Sequence, residues 1–190
     1  MRARTLALLP VVMLLARCAP RAPGVEVLSV RDADRSMLGG QIMLEELGVS
    51  FQAPRDWRME AEAGLKRAAI GSFSLEPERL FYRDDGMGFC LLSRIVPPSG
   101  SADADPLKTY MDELARKFKT GDSISYKNLR INNLPAILLR ITEKDDLLYK
   151  FIVDAGDSLI QVDFAFPVSE FDDSVLARMK ASVSTIRCTR

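Results

Sequence analysis

The stretch SISYKNLRINNLPAILLRITEKDDLLYKFIVDAGDSLIQVDFAF, residues 123–166, decides the fold. Side chains of a strand alternate between two faces, and this stretch alternates in four successive runs. Ser123 to Ile131, Pro135 to Thr142, Leu147 to Asp154 and Leu159 to Phe166 read as antiparallel strands. In the third, Leu147, Tyr149, Phe151 and Val153 share one face, while Leu148, Lys150, Ile152 and Asp154 share the other. In the fourth, Ile160, Val162, Phe164 and Phe166 point one way and Gln161 and Asp163 the other. One apolar and one mixed face predict an antiparallel sheet with a single covered face, because parallel sheets buried on both sides read as unbroken apolar runs. Asn132-Asn133, Lys144-Asp145-Asp146 and Ala155-Gly156-Asp157 are short turn sequences that accept left-handed or Asx conformations. A meander follows.

Two helices flank these strands in sequence. After Pro167, Asp172 is placed to cap a helix reaching Val183, with Phe171 positioned as a hydrophobic staple against Leu176. Leu176, Met179, Val183 and Ile186 recur at helical spacing and form the stripe that lies on the sheet, leaving Arg178 and Lys180 to face water. Before the strands, Asp105-Pro106 opens the clearest helix of the chain, with the aspartate capping and the proline at the first helical position. Leu107, Tyr110, Met111, Leu114 and Phe118 fall on one face, and the helix is expected to end near Gly121.

Further toward the N-terminus, Met87 to Val96 is apolar enough for a central strand, closed by Pro97-Pro98-Ser99-Gly100. Gln41 to Leu47 and Val49 to Ala53 are strand material broken at Gly48, and Val25 to Val30 is a short strand candidate. Asp32 to Gly40 reads as loop or a brief helical turn. Trp57 reads as a packing anchor at the sheet's edge, the competing reading being a ligand platform. Glu60 to Ala69 and Ser72 to Tyr82 show no consistent period, and Pro77 interrupts the second.

The 190 residues suit one domain, with 47% hydrophobic and 27% charged residues, a globular balance. Arg2 and Arg4 precede the short apolar stretch Thr5 to Ala16, which is below the roughly 20 residues needed to span a bilayer, so residues 1–17 read as a signal peptide. Leu15-Ala16-Arg17-Cys18 resembles a bacterial lipoprotein lipobox. The resemblance implies lipidation of Cys18, a membrane anchor and a location on the periplasmic side of the cell envelope. Arg17 stands where a small residue is expected, which keeps ordinary signal-peptidase cleavage and a retained signal anchor as alternatives. Residues 18–40 then form the lipidated N-terminus and tether, and residues 41–190 the α+β domain. Export also allows Cys90 and Cys188 to form a disulfide fastening the final helix to the sheet, the alternative being two free thiols.

Several chemistries are excluded or disfavoured by composition. The chain contains no histidine, which removes Ser-His-Asp and Cys-His catalysis and His-ligated zinc. Three cysteines cannot build a four-Cys metal site. Removing residues 1–17 takes away Arg2, Arg4 and Arg17 and leaves 23 basic and 26 acidic residues, net charge -3, a poor balance for nucleic acid. Gly86-Met87-Gly88 begins a glycine pattern that fails at Leu91, so no dinucleotide cofactor is expected. The pairs Asp103 with Asp105, Asp145 with Asp146 and Asp172 with Asp173 read as caps and turns, with a weak oxygen-ligand cation site as the competing reading.

Gly48-Val49-Ser50-Phe51-Gln52-Ala53-Pro54 with Trp57, the central helix, Ile131-Asn132-Asn133-Leu134-Pro135-Ala136 at a hairpin, and Phe171-Asp172 before a final helix together resemble the PsbP-like family over residues 46–187. The resemblance implies an α/β/α sandwich, an antiparallel meander sheet flanked by helices on its faces. It also implies membership among accessory or binding proteins: photosystem extrinsic subunits, a Ran-binding regulator and bacterial envelope lipoproteins. It transfers no catalytic residue. The expectation is a non-catalytic module that binds an envelope protein partner, the alternative being a carrier of a small apolar or lipid ligand, which needs a large apolar cavity.

Overall fold

The computed structural model describes residues 25–60, 65–99, 105–118 and 123–189. The four predicted strands are present as β8 (Ser123–Ile131), β9 (Leu134–Glu143), β10 (Asp146–Asp154) and β11 (Leu159–Pro167), and they pair consecutively as a meander. Asn132 and Lys144 take positive φ (55° and 52°) in the first two turns, as does Gly156 (86°) in the third. β11 then pairs with β7 (Phe89–Val96), which pairs with β6 (Phe73–Arg83). β4 (Trp57–Met59) and β5 (Ala68–Ile70) both pair with β6, and β1 (Glu26–Leu28) closes the far side by running parallel to β8. The order is β1-β8-β9-β10-β11-β7-β6-β4.

A second sheet is built from β2 (Leu38–Leu44), β3 (Val49–Pro54) and β12 (Arg187–Cys188), in the order β12-β3-β2. Gly48, at φ 64°, ends the single 3-10 turn between β2 and β3, a left-handed position that costs glycine little. The folded body therefore reaches back to Glu26. The tether boundary drawn at residue 40 moves accordingly, because β1 and the start of β2 are paired strands.

Both faces of the large sheet are covered, not one. On one face, Phe51, Phe81, Phe151, Val162 and Phe164 pack with Met179, Val183 and Ile186 of α2 (Asp173–Val183) and the turn after it. On the other, Ile95, Leu139, Ile152 and Leu159 pack with Tyr110 and Leu114 of α1 (Pro106–Lys117). The predicted stripes of both helices are the buried ones, and both predicted caps form: Asp105 accepts from the Lys108 amide and Asp172 from the Val175 amide, at 2.9 and 2.8 Å. Arg178 and Lys180 do not simply face water. Arg178 pairs with Asp56 and Lys180 with Glu26, at 3.0 and 2.7 Å.

Ser72 to Tyr82 gave no period because its strand changes phase. A bulge between Pro77 and Arg79 shifts the register against β7. Phe73 and Leu75 consequently reach the α1 face while Phe81, also odd-numbered, reaches the α2 face. The bulge is also what admits Pro77 into an interior strand.

Candidate functional site

At one end of the large sheet a cleft of about 430 Å³ opens between β4, the β6–β7 turn and the start of α2. Each wall is positioned by local sequence. Trp57 sits on β4 at the sheet's edge and meets Phe164 and Phe166 edge-on, both at 5.8 Å. Phe171 precedes the capping Asp172 and stacks on Tyr149 at 5.2 Å. Trp57 is thus the packing anchor expected, and its remaining half-buried surface lines the cleft. Gly88 keeps the floor tight, since a Cβ there would lie 2.7 Å from the Phe166 ring.

The rim is charged. Asp56, Asp84, Asp85, Glu170 and Asp172 line it together with Arg83 and Arg178. Arg83 is held between Asp85 and Glu170, and Arg178 is held by Asp56. Asp84 pairs with Arg58. Carboxylates therefore outnumber guanidinium groups around an aromatic floor. The Ser174 hydroxyl and the Val175 amide both donate to Asp172, and hold its carboxyl below the usual range. The Met87 amide and Arg83 do the same for Asp85.

The α1 face carries a second polar feature. Tyr110 donates to Gln161 Oε1 at 2.6 Å, Gln161 Nε2 donates to Asp163 Oδ2 at 2.8 Å, and Lys150 Nζ reaches the same oxygen at 3.0 Å. Lys150 and Asp163 are only 8% and 7% exposed, so an ion pair lies inside the sheet's packing rather than on a solvated face. The other oxygen of Asp163 has no hydrogen-bond partner. Burial raises the Tyr110 hydroxyl far above its ordinary range and Asp163 pushes it further, so this tyrosine donates and does not titrate in the working range. All four side chains are buried, so the network is internal structure.

The residues singled out by sequence scatter. Cys18 and Asp103 lie outside the described residues. Cys90 and Cys188 are free thiols, which corrects the expected disulfide. Cys90 is fully buried in β7 between Phe81 and Phe164, whereas Cys188 is exposed on β12 of the small sheet, its Sγ 3.6 Å from the Ala155 carbonyl. Burial drives the Cys90 thiol well above its usual range. Asp105 and Asp172 serve as caps, and Asp145 and Asp146 lie at the β9–β10 turn. Among the described residues no group of three or more Cys, Asp or Glu side chains is arranged to hold a metal ion, and no helix is long and apolar enough to cross a membrane. Arg83, Glu170 and Asp56 were not anticipated as a set. Asp84-Asp85-Gly86 and Phe171-Asp172 were visible only as a turn and a cap, and nothing local says that the two meet.

No protein-family model matches the chain, and no curated protein matches it in sequence. Solved structures do match. The solution structure of cyanobacterial PsbP (CyanoP) from Synechocystis sp. PCC 6803 superposes with TM-score 0.55 at 12% identity, covering 80% of this chain and 93% of that one. The Ran-binding protein Mog1p of Saccharomyces cerevisiae gives TM-score 0.45 at 9% identity, covering 79% and 95%. A Pseudomonas aeruginosa protein of unknown function, PA94, described as a putative regulator, gives 0.40 at 13% identity, covering 75% and 92%. The first likeness establishes a fold similar to that of PsbP, a mixed α+β body with one large sheet and two helices.

Proposed function

We propose that the chain is an exported, lipid-anchored binding module of the cell envelope that acts by holding a protein partner and breaks no bonds. The observation that carries this reading is the cleft beside Trp57, with an aromatic floor and a surplus of carboxylates over arginines already engaged in ion pairs. Such a site suits a partner segment that offers a lysine or arginine beside an apolar side chain. The reading is supported by the layering behind the cleft, α1 on one sheet face and α2 with the small sheet on the other, which is compatible with the α/β/α arrangement that the PsbP-like resemblance implies. The carrier alternative is weaker, because Phe51, Phe151 and Phe164 fill the interior and the cleft is rimmed with charge.

The test is photocrosslinking in intact cells from Ser169, an exposed residue lining the cleft. We expect one discrete envelope protein, and about a tenfold lower yield when Asp85 and Glu170 are both changed to Lys, a loss of about 1.4 kcal/mol. Equal capture by that charge-reversed variant, or a stoichiometric lipid on the purified protein, overturns the reading. Mass spectrometry of the mature N-terminus checks the anchor at Cys18.

A further inference from the structure

The large sheet ends on one side in a step. β1 pairs with β8 only over Leu129 to Ile131, so among the described residues Ser123 to Asn128 have β9 on one flank and no strand on the other, and all are exposed. The two-residue turn at Asn132-Asn133 closes on the pair Ile131 and Leu134, which in such hairpins is the hydrogen-bonded kind. Odd-numbered residues of β8 therefore turn their backbone groups toward β9 and even-numbered ones toward the open edge. The Asn132 amide is in phase with this, donating across the edge to the Leu28 carbonyl at 2.8 Å. The ledge thus presents the amides and carbonyls of Ile124 and Tyr126 and the amide of Asn128, whose carbonyl faces the Glu26 amide at the end of the β1 pairing. In the sequence before β1, Pro20 and Pro23 lack the N–H that a paired strand donates, so that segment is poorly suited to fill the ledge.

We infer that a second copy of this chain occupies the ledge, β8 against β8, antiparallel about a two-fold axis at Ser125. The register is set by the step itself. Keeping the two α1 helices on one face of a continuous sheet requires residues of like parity to lie opposite each other. An axis at Tyr126 places Ser123 of the second copy opposite Leu129, where Glu26 already sits. Among the described residues an axis at Ser125 clears β1, and it pairs Ser123 through Lys127 with Lys127 through Ser123. In that register Tyr126, 74% exposed, lies opposite Ile124 of the second copy, 37% exposed, on both sides of the axis. Aromatic and β-branched side chains are favoured partners across strands. The pair forms at the mouth of the groove between α1 and β8, lined by Leu107, Met111 and Ile137. Charge is compatible as well: Lys127 faces Ser123 of the second copy rather than another lysine, and keeps its own Glu26 at 2.6 Å. The interface is isologous and closes on itself, which uses up the edge without propagating a fibre.

The test uses the full chain in intact cells, in a Cys188→Ser background, under mild oxidation. Ser125→Cys places two thiols in a directly opposed, non-hydrogen-bonded pair, with Cα atoms about 4.5 Å apart and within disulfide reach. We expect a product of twice the chain mass. Ser123→Cys or Lys127→Cys alone should give about tenfold less, and co-expression of these two variants should restore it. No doubled product from Ser125→Cys, equal yields at every position, or a product of another mass overturns the inference. Tyr126→Asp, at an exposed site and checked for folding by circular dichroism, should lower the Ser125 crosslink about tenfold; an unchanged yield also overturns it.

Discussion

The two faces of the large sheet are built on different principles. Under α2 and the small sheet the filling is apolar and aromatic: Phe51, Phe151, Val162 and Phe164 are fully buried. Under α1 the same strands carry Lys150, Gln161 and Asp163, which join Tyr110 of the helix in one connected network. The first face supplies hydrophobic stabilisation in proportion to buried area. The second is costly to desolvate and leaves one Asp163 oxygen without a hydrogen-bond partner, while its connected donors and acceptors admit few alternative arrangements. One face provides most of the free energy, and the other fixes how α1 sits, because Tyr110 reaches Gln161 only when the helix is correctly rotated.

The largest expected effect breaks the apolar face. Phe151→Ala removes a fully buried ring that meets Phe164 edge-on at 6.1 Å. It should cost about 3–5 kcal/mol in denaturant unfolding. Next comes the ionic face. Lys150→Met leaves a buried carboxylate with only the Gln161 amide and should cost about 3 kcal/mol. Adding Asp163→Asn, whose carbonyl still accepts from Gln161, should recover most of that loss. If the single and double variants unfold alike, the network is not the specific device argued above.

The smallest effect separates interior from rim charge. Glu26 is held below its ordinary value of about 4.5 by hydrogen bonds from Lys127 and Lys180. A depressed carboxylate stabilises the fold above its unfolded pKa, and the contribution fades as pH falls from near 4.5 through the lowered folded value. Glu26→Gln should therefore cost less than about 1 kcal/mol at neutral pH, and the difference from the parent chain should vanish on acidification and shrink in high salt. The Lys150→Met penalty should be nearly indifferent to salt.

The meander and both helices were legible because local rules agreed with the tertiary outcome. Alternation, turn residues and the Asp105 and Asp172 caps all point one way. Lys150 and Asp163 were legible as members of a mixed face, but their pairing depends on which residues come opposite across β10 and β11, and on α1 covering them. β6 was hidden by the bulge at Pro77, where the period changes face in mid-strand. The pairing of β12 with β3 and the parallel docking of β1 on β8 rest on short runs whose partners are distant in sequence. The expected disulfide failed for the same reason: compartment chemistry permits a bond, but only the fold decides which thiols meet. The cleft was not legible at all, since its turn and its cap look ordinary until the chain brings them together.

Asn132 was first noticed only as a turn residue. Its amide donates to Leu28, its Oδ1 accepts from the Val30 amide, and its Nδ2 donates to the carbonyls of Ser184 and Ile186 at 3.0 and 2.8 Å. One side chain thus clasps segments from opposite extremes of the described chain, contacts of long sequence separation that carry a high loop-closure entropy. During synthesis the hairpin around it can be complete while the clasp stays open, and it locks only after residue 186 has been made. Asn132 is in this sense a timekeeper, a place where the molecule registers that all of its layers have arrived.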